Sequence, residues 1–247
     1  MEVSHLSDAV EVQNVWKKFR IYHDKAYTLK ERLIFWNRQK ADEFWALKGV
    51  NLTIHSGTTV GLIGRNGSGK STLLKIISRI LYPTRGEVKI RGRVSTLLEL
   101  GAGFHPDFTG RENIFLNASI LGFTRKEIKD KLQDIIAFSE LEDFIDNPVR
   151  NYSSGMYMRL GFSVAVHVDP DILLVDEVLA VGDLAFQEKC INRIKEMKRQ
   201  GKTIIFVSHS PDQVEDLCDV AVWLDKGEIK MQGRADQVVE AYVRSVS

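Results

Sequence analysis

Gly64-Arg65-Asn66-Gly67-Ser68-Gly69-Lys70-Ser71, followed by Thr72, narrows the possible folds of this chain more than any other stretch. It fits the spacing G-x-x-x-x-G-K-[ST], and both flanks suit that motif. Upstream, Thr59-Val60-Gly61-Leu62-Ile63 is a short apolar, partly β-branched run that reads as a buried strand. Downstream, Leu73-Leu74-Lys75-Ile76-Ile77 continues as an apolar-rich helix. Glycines without Cβ let successive backbone N–H groups turn inward around a phosphate, and a helix N-terminus adds favourable partial charge. Lys70 can reach the β- and γ-phosphates of a nucleotide, and the Ser71 hydroxyl can ligate Mg²⁺. A chance glycine-rich turn would not come with strand, loop, Lys-Ser and helix in register.

A strand-loop-helix of this kind needs a sheet around it, and 247 residues allow one large α/β domain or two small lobes. Net charge is only +1, so bulk electrostatics gives no case for nucleic acid or an anionic membrane. Cys190 and Cys218 are far apart without metal-ligand spacing and read as reduced, structural residues of a cytosolic protein. The first residues lack a charged-then-apolar signal pattern, and no apolar run approaches the roughly 20 residues of a membrane helix. Any work at a membrane is expected to go through a partner.

Along the chain, Val10, Val12 and Val15 alternate with polar residues as in a half-exposed antiparallel strand. Trp16, Phe19 and Tyr22 follow among basic residues. One of them, Phe19 ahead of Tyr22, is placed to stack an adenine ring; the competing reading is that these aromatics cap a sheet edge. Residues 25–43 interleave Lys30, Arg32, Arg38 and Lys40 with Leu29, Leu33, Phe35 and Trp36, and Leu29, Leu33 and Trp36 share a helical face. Such a segment suits a membrane interface or a partner groove, and equally an insertion folded over the sheet. Strands are expected at 45–54, 87–90, 94–98, 171–176, 203–208, 220–225 and 228–232, with helices at 111–121, 125–138, from 153, and at 183–199, 211–217 and 236–245. Helices inserted into a strand-helix alternation imply a parallel sheet core with a helical lobe at about 104–168.

Ile172-Leu173-Leu174-Val175-Asp176-Glu177 puts two acids at the carboxyl end of an apolar strand, where open α/β sheets bind ligands. Asp176 is expected to hold Mg²⁺ through water, and Glu177 to orient and polarise the attacking water. Phosphoryl transfer asks mainly for positioning and charge stabilisation, so one lysine, one metal and one water-orienting acid form a sufficient set. Another apolar strand, Thr203-Ile204-Ile205-Phe206-Val207, leads to Ser208 and His209, and a neutral imidazole there could contact the γ-phosphate. A lone strand-end histidine is otherwise structural.

Between these two sets lies Tyr152-Ser153-Ser154-Gly155-Met156. Alone it is only a Ser/Gly helix start. In the order phosphate loop, this pentad, Asp176-Glu177, Asp183 and His209, it resembles the signature segment of ABC transporter ATPases, and the resemblance covers nearly the whole chain. It implies a phosphate-loop NTPase of the ABC type over residues 1–247, with a mixed sheet core, an antiparallel β subdomain and a helical subdomain. It also implies a head-to-tail homodimer sandwiching ATP. Ser153 and Gly155 of one copy would face the γ-phosphate held by residues 64–72 of the other, with Asp183 beside that shared site.

Leu97-Leu98-Glu99-Leu100-Gly101-Ala102-Gly103-Phe104-His105-Pro106 and Asp176-Glu177-Val178-Leu179-Ala180-Val181-Gly182-Asp183 are similar to the polysaccharide-exporter branch, which moves lipid-linked O-antigen or teichoic-acid polymers. Membership implies ATP hydrolysis with Mg²⁺ and a membrane-spanning permease partner at the cytoplasmic face of the cell membrane. Two positions depart from the family pattern. Glu99, or Leu100 if the loop shifts by one, stands where a glutamine is usual, and Ser154 and Met156 replace glycine and glutamine. Two other readings compete. A soluble ATPase of this type acting on nucleic acid or ribosomes would call for a long coiled coil, zinc-binding cysteines or tandem ATPase domains, none of which the sequence carries. A nucleotide-gated module without hydrolysis would have no use for Glu177 and His209.

Overall fold

The computed structural model describes residues 7–22, 41–98, 100–176, 182–208 and 210–246. Two sheets organise them. β1 (Asp8–Tyr22), β2 (Ala41–His55) and β4 (Arg85–Ile90) form an antiparallel sheet in the order β2-β1-β4. The second sheet has the order β5-β6-β7-β3-β8-β9, built from β3 (Thr59–Ile63), β5 (Val94–Thr96), β6 (Ile172–Val175), β7 (Thr203–Val207), β8 (Val220–Asp225) and β9 (Glu228–Arg234). Its first five strands are mutually parallel, and β9 turns back antiparallel on β8. The core sheet is therefore mixed, and β3, β6 and β7 are buried along their whole length as continuous apolar runs.

Alternation along those strands sends side chains to two cores. Val60, Leu62, Leu174, Ile205 and Val207 join Leu73, Leu74 and Ile77 of helix α1 (Lys70–Ile77) and the inner face of β1 and β2. Ile63, Leu173, Val175, Ile204 and Phe206 point the other way, onto helices α4 (Ser154–His167), α5 (Leu184–Arg199), α6 (Pro211–Leu217) and α7 (Ala235–Val246). A third core lies among α2 (Gly110–Ile120), α3 (Arg125–Ser139) and the far side of α4, around Ile114, Ile128, Ile135, Leu160 and Val164. α4 is buried without a break from Leu160 to Val166 because it serves two cores, so it lacks the polar face of a surface helix. α2 and α3 each begin on a reciprocal Thr-x-x-Glu cap, Thr109 with Glu112 and Thr124 with Glu127.

Most expected elements fall within a residue or two of their observed ends. β1 is the main difference, since pairing with β2 carries it on to Tyr22 and makes the aromatic segment part of a strand. Asn14, at φ 46°, marks a bulge where β1 slips register against both neighbours, which breaks the alternation that the sequence reading followed. The amphipathic segment expected at 25–43 lies outside the described residues except for 41–43, which open β2. Glu99, Glu177 and His209, and the side chain of Tyr22, also lie outside them. Among the described residues, no helix is long and apolar enough to cross a membrane.

Candidate nucleotide site

The loop from β3 to α1 is held by backbone contacts that only glycine tolerates. Gly64 has φ +145°, and a Cβ there would stand 2.1 Å from the Leu224 carbonyl oxygen. Gly69 has φ +111°, and a Cβ there would meet the Ala46 oxygen at 2.7 Å and the Leu47 side chain at 2.8 Å. The Ser68 carbonyl accepts from Gly227 N at 2.9 Å, and the Gly227 carbonyl accepts from Lys48 N at 2.8 Å, stitching the loop to β2 and to the β8–β9 turn. The loop is thus moulded by three neighbours before any ligand arrives.

Inside that mould Lys70 is only 5% exposed, and its Nζ donates to the carbonyls of Gly64 at 2.7 Å and Arg65 at 3.2 Å. A lysine resting on two carbonyls is held at the loop, within reach of a stronger acceptor. The first helical bond runs from Leu73 N to Gly69 O, so the amides of Lys70, Ser71 and Thr72 precede it and offer the donors of a helix start. Ser68 Oγ is buried with no hydrogen-bond partner among the described residues. A buried orphan hydroxyl in a loop of aligned amides fits a phosphate oxygen, and the residues present therefore suit a nucleoside polyphosphate. Arg65, Asn66, Gly67 and Ser71 are exposed at the same rim, with Ser71 accessible to a cation.

Sheet order decides what stands beside the loop. Leu62 pairs with Val207 and Phe206 with Val175, all parallel, so β3, β7 and β6 end at one edge of the sheet. Asp176 follows β6 there, half-buried, two strands from the phosphate loop and so about 10 Å away across the sheet. Ser208 follows β7 between them; its hydroxyl donates to Gln213 at 2.8 Å and accepts from Ser210 N at 3.0 Å, fixing the start of α6. No cluster of three or more His, Cys, Asp or Glu side chains forms a metal cage among the described residues. Mg²⁺ characteristically keeps waters and takes few protein ligands, so Ser71 and Asp176 remain a suitable pair. Phe19 lies on the face of β1 that carries Lys17, whose Nζ is 5.3 Å from its ring centroid. Phe19 pairs with Phe44 of β2, and both rings are exposed.

The other predicted contacts lie elsewhere in the chain. Ser153 caps α4, its Oγ accepting from Met156 N at 3.2 Å, and both Ser153 and Ser154 are exposed. Ser95 Oγ bonds the Ala165 carbonyl, while the Tyr157 hydroxyl donates to the Gly101 carbonyl beyond the end of β5. α4 therefore runs antiparallel to β5 and projects its start past the ligand edge. α1 and α4 occupy opposite faces of the sheet, so the phosphate loop and the Ser153 start are carried on separate layers. The Tyr152 hydroxyl donates to the Phe144 carbonyl at 2.8 Å, and burial pushes this phenol up to about 12. It serves as an anchor for the turn into α4. Asp183 caps α5 through Phe186 N at 2.9 Å and accepts from Arg159 at 2.6 Å, so both of its oxygens are engaged within the chain. Sequence reasoning passed over Arg159, which gives no signal there beyond its place six residues after Ser153. Burial pushes both cysteine thiols up to about 12, and neither forms a disulfide, as expected of structural residues.

Comparison with known proteins agrees with this architecture. The family model described as ABC transporter matches residues 47–180. The O-antigen export system ATP-binding protein RfbB of Myxococcus xanthus is 53% identical over 97% of this chain, which spans 56% of that protein's length. RfbB of Klebsiella pneumoniae is 45% identical over 98% of this chain and 100% of its own. The teichoic acids export ATP-binding protein TagH of Listeria innocua is 46% identical over 94% of this chain and 69% of its own. Among solved structures, a dimeric, post-hydrolysis ATP-binding cassette bound to ADP and Pi shares the fold at TM-score 0.72 and 24% identity, covering 92% of this chain and 98% of that one. With a family model spanning more than half of its length and a relative matched almost end to end, this chain belongs to the ABC transporter family.

Proposed function

We propose that this chain is the ATP-binding and hydrolysing subunit of an exporter that moves a lipid-linked polysaccharide, of the O-antigen or teichoic-acid type, across the cytoplasmic membrane. The observation that carries this reading is identity of 45–53% to O-antigen export ATP-binding proteins over nearly the whole chain. A family-level likeness confined to the nucleotide motifs would not reach that level.

In this reading the loop amides of residues 64–72 and Lys70 hold the triphosphate, with Phe19 against the adenine. Ser71 and Asp176 hold Mg²⁺, which offsets phosphate charge when bound. Glu177 orients the attacking water, His209 contacts the γ-phosphate, and Glu99 reaches Mg²⁺ through water. The exposed Ser153 and the half-buried Gly155 are offered to a second copy, since a helix start at the surface is a phosphate ligand without a phosphate of its own. The working form is therefore a homodimer with shared sites, docked on a separate membrane-spanning permease at the cytoplasmic face. Residues 25–43 are assigned to contact with that permease or with lipid headgroups, and residues 104–168 to the helical subdomain.

Deleting this chain from its native cells tests the reading. The expected result is loss of surface polysaccharide, with lipid-linked polymer accumulating inside, restored by the wild-type chain and not by Lys70→Ala. Unaltered surface polymer, with a different solute stranded, would overturn the substrate assignment. Absence of Mg²⁺-dependent ATP turnover by the purified chain, alone or with its permease, would overturn the enzymatic one.

A further inference from the structure

Arg159 joins three helices at one point. Its side chain is 18% exposed. One terminal nitrogen, Nη1, donates to Glu140 Oε2 at 2.8 Å, and the other, Nη2, donates to Asp183 Oδ2 at 2.6 Å. The guanidinium carbon lies 4.7 Å from the centroid of the Phe186 ring, which adds a cation–π contact. Glu140 ends α3 in the left-handed region, at φ 57°, and its second oxygen accepts from Lys189 of α5 at 2.9 Å. Asp183 uses its second oxygen to cap α5 at Phe186 N. Asp183, at the start of α5, is thus fastened by a residue of α4, the helix that begins at Ser153. Six residues of α-helix separate Ser153 from Arg159 along about 9 Å of axis.

We infer that Arg159 is a positioning residue for nucleotide hydrolysis: held from behind by Glu140, it fixes Asp183 and so ties the start of α5 to the helix that begins at Ser153. The inference rests on the ATPase reading above. A planar guanidinium presents two terminal nitrogens in a fixed fork, one to each carboxylate, whereas a lysine at the same place has a single nitrogen that would have to reach both. The competing reading makes Arg159 simple adhesive between helices, which predicts lower thermal stability and no selective loss of turnover.

Arg159→Lys, Asp183→Asn and the double variant separate the two in the purified full-length chain. Asparagine retains the helix cap through its one oxygen, so Asp183→Asn removes the charge and the second acceptor that Arg159 grips and leaves the cap in place. If Arg159 acts through Asp183, each single variant lowers kcat about tenfold while affinity for ATP stays within about twofold, and the double variant is about as slow as the slower single. Glu140→Gln lowers kcat in the same direction and to a smaller extent. Unchanged kcat in Arg159→Lys, an affinity loss that parallels the loss of turnover, or single effects that multiply in the double variant would each overturn the inference. Hydrogen exchange at the Phe186 amide of the nucleotide-free chain reads the same link without chemistry, and should quicken in Arg159→Lys and Glu140→Gln. Failure of the wild type to turn over ATP would sink the ATPase reading instead; exchange then decides the link, and unchanged exchange defeats it.

Discussion

The phosphate loop and the start of α4 are both short Ser/Gly-containing approaches to a helix, yet the fold treats them in opposite ways. At the loop, Gly64 and Gly69 are pressed against backbone oxygens, Lys70 is buried, and Ser68 is enclosed with an unpaired hydroxyl. At the start of α4, Ser153 and Ser154 are exposed, and the nearest heavy atom to a Cβ at Gly155 would be Ser153 Oγ at 3.8 Å. One approach is over-determined by its neighbours and the other is left open. A pre-moulded loop can bind with what the chain already supplies. An open helix start gains its contacts only when something else arrives.

The sharpest test of that contrast changes the chemistry and leaves the mould alone. Glu177→Gln should lower turnover by about 10²–10⁴-fold while ATP binding survives, because the carboxylate orients water and the loop holds the nucleotide. Lys70→Ala should do the reverse and weaken binding itself, since it removes a charge-assisted phosphate contact from an enclosed site. Equilibrium binding beside steady-state phosphate release separates the two. Near-normal turnover in Glu177→Gln would remove that residue from the mechanism.

Gly64→Ala attacks the mould directly. A methyl 2.1 Å from the Leu224 oxygen, at φ +145°, cannot be accommodated without moving β8 or the loop. We expect a loss of roughly 2–4 kcal/mol in folding stability together with loss of nucleotide binding. Gly155→Ala, by contrast, has room for its methyl and should leave both stability and binding of nucleotide to the isolated chain nearly unchanged. Equal damage at the two glycines in thermal unfolding would erase the distinction between the regions.

Mixing tests whether the open region belongs to a second copy. Ser153→Arg chains and Lys70→Ala chains should each be inactive as homodimers, whereas mixed dimers contain one intact composite site. Activity of the mixture should recover to about one quarter of the wild-type rate if the copies exchange freely and one site turns over alone. In tandem-linked dimers, where every molecule is mixed, activity no greater than that of either parent would count against shared sites.

The sequence made these regions unequally legible for a physical reason. A loop built from glycines and one lysine between a buried strand and a helix has few other uses, so residues 64–72 could be read directly. Asp176 was legible because Ile172–Val175 is uniformly apolar and a strand of that kind must end at a polar edge. The order β5-β6-β7-β3-β8-β9 was not, because it depends on crossovers that leave no mark on local periodicity. Nor was the length of β1, where the bulge at Asn14 resets the alternation. Arg159 escaped because its partners, Glu140 and Asp183, come from distant stretches that only packing brings together. Asp183 was expected near a nucleotide, and its carboxylate is found capping a helix and holding that arginine.

His167 closes the same helix that Ser153 opens, and it offers the mildest way to loosen one end of α4 without touching the loop. Burial holds this imidazole down at about 4, against 6.5 for a free histidine, even though its bond to the Ser163 carbonyl at 2.9 Å pulls the other way. The folded chain therefore keeps His167 neutral where the unfolded chain binds a proton. Its contribution to stability is intact above about pH 6.5 and is lost as pH falls toward 4. By pH 5 the loss amounts to about 2 kcal/mol, before most carboxylates begin to titrate. Glu127, held at about 2 by Arg93 and by its cap on Thr124, acts in a separate window: its contribution is present above about 4.5 and fades on further acidification. Denaturant unfolding at pH 7 and pH 5 isolates the histidine. His167→Phe, which keeps a ring against Phe138, should show little of this acid-induced loss, while nucleotide affinity at the loop changes equally little in both proteins. An identical drop in stability in wild type and variant would mean that the acid-sensitive anchor of α4 lies elsewhere.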